Sequence, residues 1–497
     1  MTGAAPSVGR APGRAPVLAV TAVCAIAAAT AWAALSVGHP AATAAPVVLA
    51  LLAWTAWRAP LRASAAVLLL LVLALDDFEN ANGLWHSPLA GLGDLVHHSM
   101  QSIFPSVKGL ALTGTELGIL LLLAVAAWRS STGAPADRPA APPRALAAVG
   151  GAYLGAILLA TANGLARGGD AEVAVWQTRP LLETAALTMV FLAALRERGA
   201  EVLAARVVVL AAVVRAALAA WVRWVVAPGT TFDLEYATDH GDSMLFTLAF
   251  VLVAAHLLER RDRARAFAAL AVLPVLLVGI HANGRRTAWL QLALGLLLFL
   301  VVARGAAWRR QLGRAALVAL PFLVLYGAAG WSSTSAAFRP VQLVRSVTDS
   351  TVDRSTWDRQ VENWNLAMSM RDRPLLGRGF GHEWTEYFAG DAITEIFHRY
   401  RAHPHNQLLG VLLFAGPLGF AAIWAPFAVL VLAGVRAYPR ARTPEQRATA
   451  LAVAATSVVV GVQCFSDLGP FWPQYAVLTA LALAAAGRLA TETGAAR

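Results

Sequence analysis

The 497-residue chain has a single lysine (Lys108), two cysteines, and charged residues at only 14%. Each scarcity excludes something. Cys24 and Cys464 both fall inside apolar runs, which excludes a disulfide framework or a thiolate metal site. So little charge over this length excludes a soluble protein, whose folded surface would need more of it. With one lysine, the net charge of +11 is carried almost wholly by arginine. The placement of those arginines is explained by membrane topology, so no nucleic-acid partner is expected.

Apolar sequence is abundant. Hydrophobic residues make up 58% of the chain, and uninterrupted runs of about 20 recur. The reading is an all-α integral membrane protein, a polytopic bundle of 12–14 transmembrane helices with one large extracytoplasmic loop that itself contains helices. Spans are expected near 17–37, 41–57, 61–76, 109–128, 145–165, 180–195, 201–226, 243–258, 266–281, 287–303, 315–331, 407–435, 448–465 and 473–489. Arg10 and Arg14 precede the first, which reads as a retained signal-anchor helix. The hydrophilic segment 332–404 divides the bundle into 1–331 and 405–497. No internal repeat is visible, and the Pro/Ala-rich stretch 133–143 reads as a linker.

Arginine orients the bundle. Alternate short loops together with both termini hold 23 of the 40 basic residues, whereas the opposite short loops hold five: Lys108, Arg167, Arg179, Arg285 and Arg286. Cationic short loops stay in the cytoplasm. Both termini are therefore expected on the cytoplasmic side of the membrane, and 332–404 outside. Within that segment Trp357, Val361, Trp364 and Met368 recur at helical spacing, a stripe suited to the membrane or the bundle. The following PLLGRGFG, Pro374–Gly381, marks a sharp turn rather than a phosphate loop.

Three stretches carry chemistry. In HANGRRTAWLQL, Arg285 and Arg286 sit on the side where positive charge is disfavoured. Guanidiniums bind phosphate oxygens bidentately and stay charged. The phosphate is either that of a lipid-linked substrate or that of ordinary phospholipid. Arg179, in VWQTRPLLE, is a third outer-side arginine at an expected helix start. Glu183 four residues on is placed to pair with it. In HPHNQLLG, His405 and Asn406 open a span. A neutral imidazole there can take a proton from a hydroxyl, with Asn406 orienting it or meeting a sugar. His398, His403 and His405 match no tetrahedral metal pattern, so neither metal nor cofactor is expected. Asp233, Glu235, Asp239 and Asp242 are a second source of base or sugar contacts, and by default read as a solvated loop.

GRRTAWLQL (284–292), WNLAMSMRDRPLLGRGFG (364–381) and HPHNQLLGVLLFAGPLGF (403–420) occur in this order. Together they resemble the O-antigen ligase family of bacterial membrane glycosyltransferases, whose relatives include O-antigen polymerases and protein O-oligosaccharyltransferases. The resemblance covers roughly residues 270–435 in motif detail. It implies a GT-C-like bundle, an undecaprenyl-diphosphate-linked glycan as donor, and a saccharide or lipid-saccharide hydroxyl as acceptor at the bilayer surface. The family's Arg before small residue–Ala–Trp–Leu falls on Arg286, its His-Asn pair on His405 and Asn406, and an earlier-loop arginine on Arg179. Catalytic roles are thus expected for His405, Arg286 and Arg179, and substrate contacts for Arg285, Asn406, His403 and Arg359. The chain departs from the family at Phe414-Ala415, where an acidic residue is common before the glycine.

Three further readings stand beside this one. A glycan polymerase would use the same donor chemistry. A polyprenyl-monophosphate glycosyltransferase would use Asp76-Asp77, though that pair follows the third expected span rather than the first. Outside enzymes, a polysaccharide flippase would explain the mid-span polarity of Glu183, Arg215 and His256, but not the gathering of polar motifs at one face.

Overall fold

The computed structural model describes residues 51, 54–75, 87–103, 111–132, 143–197, 199–229, 236–260, 263–338, 341–342, 345, 354–390 and 399–495. Outside them lie the expected span 17–37, most of 41–57 and of the linker 133–143, and Arg10, Arg14, Cys24, Asp76, Asp77, Lys108, Asp233, Glu235 and His398.

Among the described residues every long element is an α-helix: α1 (Leu61–Ala74), α2 (Gly114–Thr132), α3 (Arg144–Leu165), α4 (Ala171–Ala194), α5 (Ala200–Trp221), α6 (Asp242–Glu259), α7 (Arg263–Asn283), α8 (Arg286–Val302), α9 (Ala307–Gly330), α10 (Arg354–Met370), α11 (Gln407–Ala437), α12 (Pro444–Ser466) and α13 (Pro473–Glu492). Each expected span from 61–76 onward falls on one of these. Among the described residues seven helical stretches are long and apolar enough to cross a membrane. The fold is an all-α polytopic membrane bundle.

α12 is its hub, packed against α6, α8, α11 and α13. Small residues allow the close approach: a Cβ on Gly434 of α11 would lie 2.6 Å from the Ala450 carbonyl oxygen. α9 is the opposite case. Leu317, Val318 and Phe322 are 67–71% exposed, as apolar side chains facing lipid would be.

Two expectations change. α4 begins at Ala171 rather than near residue 180, because the Asp170 carboxylate caps the amides of Glu172 and Val173 at 2.7 and 3.0 Å. Arg179 therefore lies two turns into the helix instead of at its start. The second correction concerns Asp239 and Asp242, which are buried rather than solvated. Asp242 lies 2.6 Å and Asp239 3.3 Å from Arg215, a fully buried arginine on α5. A guanidinium inside the bundle is tolerable only when paired, so the mid-span charge of Arg215 is structural.

The glycine-rich turn Pro374–Gly381 closes onto a break in α11. Pro417 has no N–H for the Leu413 carbonyl, and Gly416 turns to φ 67°. The Arg378 and Gly379 amides take over, bonding the Leu413 and Phe414 carbonyls at 2.9 Å each. Phe380 N bonds Ala160 O on α3 at 3.1 Å, and Gly381 N bonds Gln177 Oε1 on α4 at 2.7 Å. All four amides are spent inside the protein, so the turn is a clamp and leaves no nest for phosphate.

Candidate functional site

The starts of α4, α6, α8, α11 and α13 and the ends of α3, α5, α7 and α12 share one end of the bundle, as the alternation of the chain requires. α10 lies across this end against α11. Its inward face is Val361, Glu362, Asn365, Leu366 and Ser369, all buried. Trp357 and Trp364, expected on one stripe with Val361, point outward and are 47% and 49% exposed.

Glu362 is the centre of the polar face. Its Oε2 lies 2.8 Å from His405 Nδ1, and its Oε1 accepts the Asn406 backbone N–H at 3.0 Å. Burial alone would push this carboxyl up, but the hydrogen bonds from His405, Asn406 and Tyr400 outweigh it and hold it below its ordinary value. An ionised Glu362 can only accept, so the His405 proton it meets sits on Nδ1, and the form of the ring able to act as a base is the Nδ1–H tautomer. Nε2 is then a lone-pair site on a ring whose side chain is 20% exposed. Asn406 caps α11, its Oδ1 accepting from Leu409 N at 3.2 Å while Nδ2 donates to Asn363 Oδ1 at 2.9 Å. Its side chain is committed to holding the turn.

A second cluster lies beside this pair. Arg285, the N-cap residue of α8, is buried and packs over Tyr236 at 3.6 Å, with Nη1 2.6 Å from His240 Nδ1 and 3.7 Å from Asp467 Oδ2. His240 Nδ1 also contacts Asp467. It serves one neighbour at a time, accepting from Arg285 in one tautomer or donating to Asp467 in the other. Burial and the Arg285 charge push His240 down to about 4, against the pull of Asp467. Burial would raise Asp467, but His240 and Arg285 hold it far below the carboxylate range. The Arg359 charge acts on Arg285 and on Asp467, and His405 acts on His240. The two clusters therefore form one electrostatic neighbourhood.

Two guanidinium nitrogens in it, Arg285 Nε and Arg359 Nη1, are buried without a hydrogen-bond partner. Unsatisfied buried donors are costly, and together they suit an anion. Arg286, next in the chain, is half-buried at the first turn of α8.

Arg179 stands apart from these. Its Nε donates to Glu116 Oε1 at 2.7 Å, its Nη2 contacts the same carboxylate, and Glu183 lies 3.5 Å away as expected. It lines a cavity of about 450 Å3 with Trp176, Arg399, His403, Phe471 and Trp472. Trp472 stacks on His240 at 5.0 Å, so this cavity adjoins the Arg285 cluster. His403 is 2% exposed, edge-on to Phe471, with Nδ1 unpartnered. A larger cavity of about 740 Å3 lies toward the other end, walled mainly by apolar residues of α5, α6, α7, α12 and α13. The titratable clusters are not there, and size alone does not make it the reacting site.

Sequence reasoning missed Glu362, His240 and Asp467. One signal was available for the first: Glu362, Asn365 and Ser369 recur at i, i+3 and i+7, a polar stripe opposite the tryptophans. Nothing local marked the other two, whose partners are more than 40 residues away.

No curated protein matches the chain. Residues 270–425 match the family described as O-antigen ligase, so the resemblance read from the motifs holds over the stretch that carries Arg285, Arg286, Arg359, Glu362, His405 and Asn406.

Proposed function

We propose that the chain transfers a glycan from a polyprenyl diphosphate to a hydroxyl of a saccharide or lipid-saccharide acceptor. The match over residues 270–425 supports a membrane glycosyltransferase-type enzyme, and the donor and acceptor are the finer part of this reading. The observation that carries it is the His405–Glu362 pair, open at Nε2, beside two buried guanidinium nitrogens, Arg285 Nε and Arg359 Nη1, without hydrogen-bond partners.

In the step proposed, the acceptor oxygen attacks the anomeric carbon as its proton passes to His405 Nε2. The C1–O bond to the diphosphate breaks on the opposite side, and the electron pair leaves with the polyprenyl diphosphate. The configuration at C1 inverts. Glu362 stabilises the imidazolium as it forms. Arg285 and Arg359, with Arg286 at the helix start, balance the charge growing on the leaving group, which preorganised donors do without reorganising. In this reading Asn406 acts as a positioning residue, and His403 and Arg179 contribute through the adjoining cavity that they line. The arginine bias between loops supports an extracytoplasmic reaction, with α10 over it.

Reconstitution with undecaprenyl-diphosphate glycan and candidate acceptors tests this. Release of polyprenyl diphosphate together with one discrete adduct indicates a ligase, and a ladder of products indicates a polymerase. Movement of the donor between leaflets without bond cleavage would indicate a flippase and overturn the reading.

A further inference from the structure

The cavity beside α4 combines aromatic and polar walls. Trp176, Phe471 and Trp472 supply aromatic walls, and Arg179, Arg399 and His403 supply polar ones. The charge of Arg179 is met by Glu116 and Glu183. Arg399, in contrast, forms no ion pair among the described residues, and its guanidinium lies over the Trp176 ring at 3.8 Å.

Two ring nitrogens of wall residues, His403 Nδ1 and Trp472 Nε1, are buried with no hydrogen-bond partner. His403 itself is 2% exposed. Buried polar atoms left unpaired are disfavoured, so a ligand carrying hydroxyls gains by completing them. A pyranose fits such a surface, since its C–H faces are apolar and its rim is hydroxylated. At about 450 Å3 the cavity lies within the usual size range of small-ligand sites.

We propose that this cavity is a subsite for an acidic sugar, a uronate-type ring packed on Trp176 and Phe471 with its carboxylate on Arg399. The proposal rests on the transferase reading for the ring's role as part of the acceptor, but not for the binding itself. The cavity adjoins the reacting groups, since its wall residue Trp472 stacks on His240 and its wall residue His403 is two residues from His405.

The test is binding of tetragalacturonate against maltotetraose, a neutral saccharide of equal length, to the full chain in nanodiscs. The acidic probe should bind about tenfold more tightly, as expected for a charge-assisted hydrogen bond. Arg399→Gln should erase the preference, and Arg399→Lys should retain most of it. Equal affinities for the two probes, a preference that survives Arg399→Gln, or no binding of either probe would each overturn the subsite. His405→Ala separates the two proposals, since it should bind tetragalacturonate as the wild type does while failing to transfer. A wild type that binds with the charge preference yet never transfers refutes the reaction and leaves the subsite standing. One that transfers without the preference refutes the subsite alone.

Discussion

Oε2 of Glu362 lies 2.8 Å from Nδ1 of His405, while Oε1 of the same carboxylate accepts the backbone N–H of the next residue, Asn406, at 3.0 Å. One buried group on α10 thus sets both the ring tautomer and the start of α11. Replacing it by Glu362→Gln preserves the shape but removes the charge that stabilises a protonated ring. Transfer should fall by about 10²–10⁴-fold, as in other imidazole–carboxylate pairs, with little change in the thermal midpoint. Steady-state rates on reconstituted protein check this, and a rate within about twofold of wild type would remove Glu362 from the mechanism.

Charge balance at the leaving group is assigned to Arg285, Arg286 and Arg359. Chelation by EDTA should then leave the transfer rate unchanged. A strong loss restored by magnesium would show that a cation carries that role instead.

Gly416 is the backbone hinge of the clamp. At φ 67° a side chain is strained, and a Cβ there would collide with the Leu375 carbonyl. The reciprocal contact is as tight, with a Cβ on Gly377 falling 2.5 Å from Phe414 O. Gly416→Ala should cost about 1–3 kcal/mol and loosen the turn at Pro374–Gly381. Limited proteolysis of that turn in intact protein reports it, and unchanged protection would show that the clamp tolerates a side chain.

Acid should destabilise the fold through His403. Burial, reinforced by Arg399, pushes its imidazole from 6.5 down to about 3. Below pH 6.5 the unfolded chain takes up a proton that the folded one refuses. Stability therefore falls as pH drops from about 6.5 toward 3, by up to about 1.4 kcal/mol per pH unit. His403→Phe, which keeps a ring against Phe471, should flatten the decline of the thermal midpoint between pH 6.5 and 4.5. Parallel curves for the two proteins would contradict a neutral buried His403.

Much of the bundle was legible because apolar runs of membrane length impose helices, and α1 to α9 and α11 to α13 fall where those runs do. The start of α4 was not, since its first turns, AEVAVWQTR, are too polar for a hydropathy window and are set by the Asp170 cap. His405 and the arginines were legible as polar residues at a costly boundary. Their partners were not. Glu362 reaches His405 across 43 residues and Asp467 reaches His240 across 227, and no local spacing encodes such pairings. Asp239 and Asp242 misled for the same reason, because the buried charge that holds them, Arg215, lies on another helix.

The most direct measurement is the transfer rate of His405→Ala in proteoliposomes loaded with undecaprenyl-diphosphate glycan and acceptor, scored alongside retained donor binding. A loss of at least about 10²-fold is expected in a protein that still inserts, folds and holds its donor. Wild-type turnover by this variant would contradict it.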